Sequence, residues 1–102
     1  MNHIKHESPY GNYFLSAEFR KYPNGQTSIQ LNDEEDGLPY CRATISVQNK
    51  LEDGEVAIKN YSENEGILES LISAGIVFPP HRVIDQGYVK IPVCKLKITK
   101  EV

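Results

Sequence analysis

Apolar and polar residues alternate one by one in several stretches of this chain, and turn residues separate those stretches into short pieces. A period of two sends successive side chains to opposite faces of an extended strand, so such a chain folds as half-buried strands with tight connections. Over residues 13–19, Tyr13, Leu15, Ala17 and Phe19 alternate with polar Ser16 and Glu18. Tyr22-Pro23-Asn24-Gly25 predicts a turn, because proline presets the first corner and Asn-Gly accepts the positive φ that follows. A second strand over residues 26–32 then presents Thr27, Ile29 and Leu31 to the same core. After the acidic connection Asp33-Glu34-Glu35-Asp36-Gly37, Cys41, Ala43, Ile45 and Val47 alternate with Tyr40, Arg42, Thr44 and Ser46, a third strand with a hydroxyl-rich solvent face. Residues 55–59 form a short strand burying Val56 and Ile58.

One segment changes period. Ile67, Leu68, Leu71 and Ile72 fall on one side of a 3.6-residue repeat, with Glu63, Glu69, Ser70 and Ser73 on the other. Ser62-Glu63-Asn64-Glu65 has capping-box spacing, Gly75 is a left-handed stop, and Pro79-Pro80 forbids continuation. The helix is predicted over residues 63–74. A closing hairpin runs through residues 82–85, Gln86-Gly87 and residues 88–99. Its second strand changes phase, from Val89, Ile91 and Val93 to Cys94, Leu96 and Ile98. A one-residue slip would turn the core face outward, so a bulge is expected near Pro92-Val93-Cys94. That bulge would keep Lys90, Lys95 and Lys97 together on the solvent face of an edge strand. The expectation is one α+β domain at residues 10–100: a mostly antiparallel five- or six-stranded sheet with one α-helix packed on one face. Residues 1–9 read as a flexible N-terminal segment.

Composition bounds the function. With 39% hydrophobic and 25% charged residues among 102, the chain matches a globular domain with one core. A net charge of −3 excludes a generally basic nucleic-acid binder and falls far short of a DNA mimic. The N-terminus has no signal-peptide h-region and no stretch has the apolar length of a membrane span, so a cytoplasmic protein with no membrane partner is expected. Cys41 and Cys94 lack Cys-x-x-Cys spacing, which leaves two buried thiols.

The candidate sites are few. The acidic run 33–36 lacks the ligand order of an EF-hand and reads as a solvated loop. His3 and His6 have a spacing compatible with one metal, yet no thiol or carboxylate set stands beside them. His81 is the one histidine of the folded body, and a small enzyme or metal-binding protein would be built around His81 and Cys41. The inward phase of Cys41 makes it a packing thiol instead. The glycines are scattered singly, so no phosphate-binding loop exists. Neither a cofactor, a metal nor catalysis is expected.

Charge is segregated along the chain. Residues 1–32 carry three basic against two acidic side chains, residues 33–69 three against ten, and residues 70–102 five against two. The acidic middle and basic end define two surfaces for a partner, with Tyr40, Arg42, Tyr61, Glu63, Glu65, Lys90, Lys95 and Lys97 as binding candidates.

Several segments resemble a known family. Ile58-Lys59-Asn60-Tyr61-Ser62-Glu63-Asn64-Glu65-Gly66-Ile67-Leu68, Ala74-Gly75-Ile76, Gly87-Tyr88-Val89 and Pro92-Val93-Cys94 are similar to small bacterial proteins classed as a domain of unknown function. Asn24-Gly25, Ile29-Gln30-Leu31 and Gly37-Leu38-Pro39-Tyr40 extend the likeness to about residues 22–96. Members are typically carried on plasmids, conjugative elements and phages of gut-associated bacteria, and the resemblance implies no catalytic residues. It implies a mobile-element accessory protein. The reading that follows is non-enzymatic action by protein contact, possible modulation of a host defence system included, as a monomer or small homo-oligomer. The alternative is nucleic-acid or nucleotide binding through the C-terminal lysines.

Overall fold

The structure, a computed structural model, describes residues 3–97. Strands β2 (Gly11–Lys21) and β3 (Thr27–Asp33) form the antiparallel centre that the alternation predicts, with Ala17 opposite Leu31 and Phe19 opposite Ile29. Leu15, Ile29 and Leu31 are fully buried, and Tyr13, Ala17 and Phe19 pack against them. The turn between the strands closes through Gly25 N–H donating to Tyr22 O at 2.8 Å, with Gly25 at φ +87°.

Residues 3–8, expected to be loose, are strand β1 (His3–Ser8), antiparallel to β2 with Ile4 opposite Leu15. Ile4 and His6 point inward and are buried. Their neighbours Lys5 and Glu7 are exposed, so the strand shows a period of two with a histidine as one of its two inward residues. β4 (Pro39–Arg42) completes a four-stranded sheet in the order β1-β2-β3-β4.

The expected third strand is shorter than its alternation because the chain changes partners within it. Ala43 N–H donates to Ile29 O at 2.9 Å, whereas Ala43 O accepts from Lys59 N–H at 2.8 Å and Ile45 N–H donates to Ala57 O at 3.0 Å. These bonds carry the chain from the first sheet to a second. Thr44, expected on the solvent face, is buried at this crossing. Its Oγ1 accepts from Ile29 N–H and bonds Tyr22 Oη, both at 3.0 Å.

The second sheet has the order β5-β7-β6, built from β5 (Glu55–Ala57), β6 (Arg82–Asp85) and β7 (Lys90–Lys95). Among the described residues there are therefore seven strands in two antiparallel sheets, where one sheet of five or six was expected. β7 is central, so its lysines do not mark an edge. Pairing along β7 is regular on both sides, with Val56 opposite Cys94 and Ile84 opposite Ile91. No bulge interrupts it. The phase change arises because both faces of β7 are covered: Cys94 joins the large core with Val56 and Ile58, while Ile91 and Val93 join a smaller core with Val47, Ala57 and Ile84. A strand buried on both faces shows no clean alternation. The register shift occurs in the opposing chain instead. Between the pairs Val77–Leu96 and Arg82–Val93 that chain has two extra residues, in the segment containing Pro79-Pro80.

The helix is also shorter than predicted. Ser62–Asn64 is a single 3₁₀ turn, Glu65 is extended, and α1 covers Ile67–Ser73 after Gly66 at φ +91°. Ser62 itself takes φ +60°, so the capping box does not form. Asn60 Oδ1 accepts the Leu68 N–H at 2.9 Å in its place. The C-terminus follows the sequence: Gly75 has φ +77°, with Gly75 N–H donating to Ile72 O and Ile76 N–H to Leu71 O, each at 3.0 Å. Ile67 and Leu71 close the large core, while Ser70, expected on the polar side, is buried against β1. Among the described residues no helix is long and apolar enough to cross a membrane.

Candidate functional site

β6 forms one margin of the three-stranded sheet. Gln86 N–H donates to Val89 O at 2.9 Å, and alternation from that pair turns the backbone groups of Arg82 and Ile84 toward β7. The N–H and C=O of Val83 and Asp85 consequently face outward. Among the described residues β6 pairs on one side only. Around it Phe78, Val83 and Tyr88 are exposed large apolar side chains, and Lys97 Nζ stands 5.3 Å from the Phe78 ring centre. Elsewhere in the fold α1 lies beside β1, and the stretch containing Thr44 bridges to the one containing Ile58.

A buried carboxylate anchors β6. Glu55 of β5 is 6% exposed and reaches over β7 to the start of β6. Its Oε1 accepts from Arg82 Nη2 at 3.0 Å and from Glu52 N–H at 2.8 Å; its Oε2 accepts from His81 Nε2 at 2.5 Å. The Arg82 guanidinium, helped by the Glu52 amide and His81, holds the Glu55 carboxyl down at about 2 against its desolvation. Arg82 Nη2 also donates to Lys50 O at 3.0 Å, tying in the loop that covers the smaller core.

Gln26 also fastens that loop. Gln26 Nε2 donates to Val47 O and Asn49 O, and its Oε1 accepts from Val47 N–H, each at 3.0 Å. Between the turn and the loop runs an open polar groove of about 640 Å³, lined in part by Lys21, Asn24, Lys50, Glu52 and Glu55. Both Glu55 oxygens are already engaged by the cluster.

The sequence candidates divide into two places. Arg42, Tyr61, Glu63 and Glu65 lie around the 3₁₀ turn, where Asn64 Nδ2 donates to Arg42 O at 2.7 Å. Glu63 bonds Lys59 Nζ at 2.7 Å, and that ammonium holds its carboxyl below the usual range. Arg42 lies over the Tyr22 ring at 5.9 Å, and Tyr40 packs at 4.7 Å against Tyr13. The lysines lie on the other sheet and are not one row. With no bulge in β7, alternation sends Lys95 to one face and Lys90 to the opposite one, where it bonds Asp85 at 2.9 Å.

The His81 and Cys41 arrangement does not assemble. His81 is bonded to Glu55 on the second sheet, while Cys41 is on β4, half-buried, its thiol pushed up to about 12 by burial. His3 and His6 point to opposite faces of β1, and His3 bonds Glu34. The acidic loop caps itself, with Asp33 Oδ1 accepting from Glu35 N–H and Asp36 Oδ1 from Leu38 N–H. Sequence reasoning missed Glu55, which lies outside the buried pair Val56 and Ile58 of the 55–59 strand, and the β6 edge, since edges depend on strand order. In comparison with known proteins, the chain matches no family model, no curated protein and no solved structure.

Proposed function

We infer that this protein is a binding module that takes up an extended, acidic segment of a partner protein along the outer edge of β6. The observation that carries this reading is the backbone of Val83 and Asp85, which has no partner among the described residues, beside exposed Phe78, Val83 and Tyr88. Strand addition uses main-chain bonds for affinity and flanking side chains for selection. Lys95 and Lys97 are exposed on the neighbouring strand and its extension, and they favour carboxylates in the incoming segment. Asp85 is countered by Lys90. The Glu55 cluster holds the start of β6 in place, which lowers the ordering cost of docking. The sequence resemblance extends the proposal to an accessory role on a mobile element, with a host or element-encoded protein, a defence component among them, as the partner.

The test is a titration with a peptide of alternating valine and glutamate, followed by backbone amide NMR. The Val83 and Asp85 amides should shift, and affinity should fall at high salt. Val83→Pro deletes an outward N–H without touching the ladder to β7, so it should weaken binding at least about tenfold and leave the melting temperature nearly unchanged. Equal binding by Val83→Pro, or shifts confined to other elements, would overturn the assignment. A pull-down from the native host that Val83→Pro abolishes then identifies the natural segment.

A further inference from the structure

His6 is fully buried where β1 passes under α1, and its ring meets groups from three other elements. Tyr13 stands opposite it on β2, Tyr40 of β4 meets it edge-on with ring centres 5.9 Å apart, and Ser70 of α1 bonds its Nδ1 at 2.8 Å. The hydrogen bonds favour one tautomer. Ser70 Oγ donates to Gly66 O at 3.2 Å, so its lone pair accepts from His6 Nδ1–H. Nε2 is then a bare acceptor, and among the described residues it has no partner.

A neutral ring tolerates this arrangement far better than a charged one. Protonation would place an N–H on Nε2 with nothing to receive it and would bring a charge into the core. The surrounding titratable groups do not offset that charge. Tyr13 and Tyr40 are phenols, Lys5 and Glu7 point to the opposite face of β1, and Glu69 is exposed on α1. Glu7 and Glu69 line an open groove beside Ser70, and neither bonds the ring.

We propose that His6 is a proton-operated latch: protonation of its ring releases β1 from α1 and opens that margin of the four-stranded sheet. Release uncovers Ile4 and frees the outer backbone of β2. Burial holds the folded-state pKa of His6 below its usual value, so the open state binds the proton more tightly and opening grows as pH falls below about 6.5.

Amide hydrogen exchange, corrected for intrinsic rates, tests the latch. The opening constant of β1 amides should rise by up to about tenfold per pH unit below pH ~6.5, with β7 amides staying protected where β1 has opened. His6→Gln should flatten that dependence, and His3→Gln should keep it. Nitrogen-15 spectra of the wild-type ring should show the Nδ1–H tautomer while β1 is closed, a reading that stands even where His6→Gln does not fold. A flat profile in the wild type, an unchanged slope in His6→Gln, or an imidazolium signal from His6 with β1 still protected would each overturn the proposal.

Discussion

His6 and Glu55 are both buried and ionisable, one in each sheet, and they reach burial by opposite routes. Glu55 is charged and surrounded by donors: Arg82, His81 and the Glu52 amide together engage both of its oxygens. His6 is neutral with one nitrogen bonded and the other bare. The difference follows from what each group fastens. Glu55 ties β5 to β6 across a strand between them, where few apolar groups are available, since the smaller core consists of Val47, Ala57, Ile84, Ile91 and Val93 with their partly buried neighbours. His6 sits beside a larger core, where Ile4, Leu15, Leu31, Ile67 and Leu71 already supply the attachment. A buried charge is tolerated where its bonds are complete, and a neutral ring where packing supplies the stability.

The largest expected effect tests the apolar side of the comparison. Ile4→Ala removes a fully buried side chain from β1 and should cost about 2–5 kcal/mol in urea denaturation. A loss below about 1 kcal/mol would mean that packing is not what holds β1, and the contrast with β6 would fail.

The ionic side comes next. Glu55→Gln keeps shape but leaves Arg82 and His81 without a carboxylate, and should cost about 1–3 kcal/mol near neutral pH. Acid should reproduce the loss. The folded-state pKa of Glu55 lies near 2, below its ordinary value of 4.5, so its contribution is complete above pH 4.5 and declines as pH falls through 2. Stability measured across pH 5 to 2 should therefore fall more steeply in the wild type than in Glu55→Gln. Matching slopes would assign the acid sensitivity to other carboxylates.

How much of this contrast the sequence carries depends on how each element is covered. β2, β3 and the turn at Tyr22-Pro23-Asn24-Gly25 were legible because one face of each strand supplies the large core with Leu15, Ile29 and Leu31 while the other carries mostly polar side chains. β7 misled because both its faces are buried, so its two apolar sets belong to different cores and the apparent slip is not a slip. β1 misled for the converse reason: four of its six residues are charged or histidine, and a buried histidine reads as polar until Ser70 is brought to it from 64 residues away. Glu55 went unmarked for the same cause, since Arg82 reaches it only through the order of the second sheet.

The start of α1 gives the smallest effects, and it separates local pattern from tertiary geometry by sign. The capping-box reading expects loss of about 1 kcal/mol when Ser62 is replaced. In the structure Ser62 holds φ +60° ahead of a 3₁₀ turn, while the Leu68 amide is capped by Asn60 from eight residues upstream. Asn60→Ala should therefore cost about 1 kcal/mol, the price of an N-cap. Ser62→Gly should instead leave stability equal or raise it by a few tenths of a kcal/mol, because glycine adopts that left-handed conformation without a Cβ penalty while adding some unfolded-state entropy. Thermal denaturation of the two variants side by side decides it. A loss for Ser62→Gly as large as for Asn60→Ala would restore the serine as the cap, and would mean that the helix is set by its local sequence rather than by the 3₁₀ turn that Asn64 pins to Arg42.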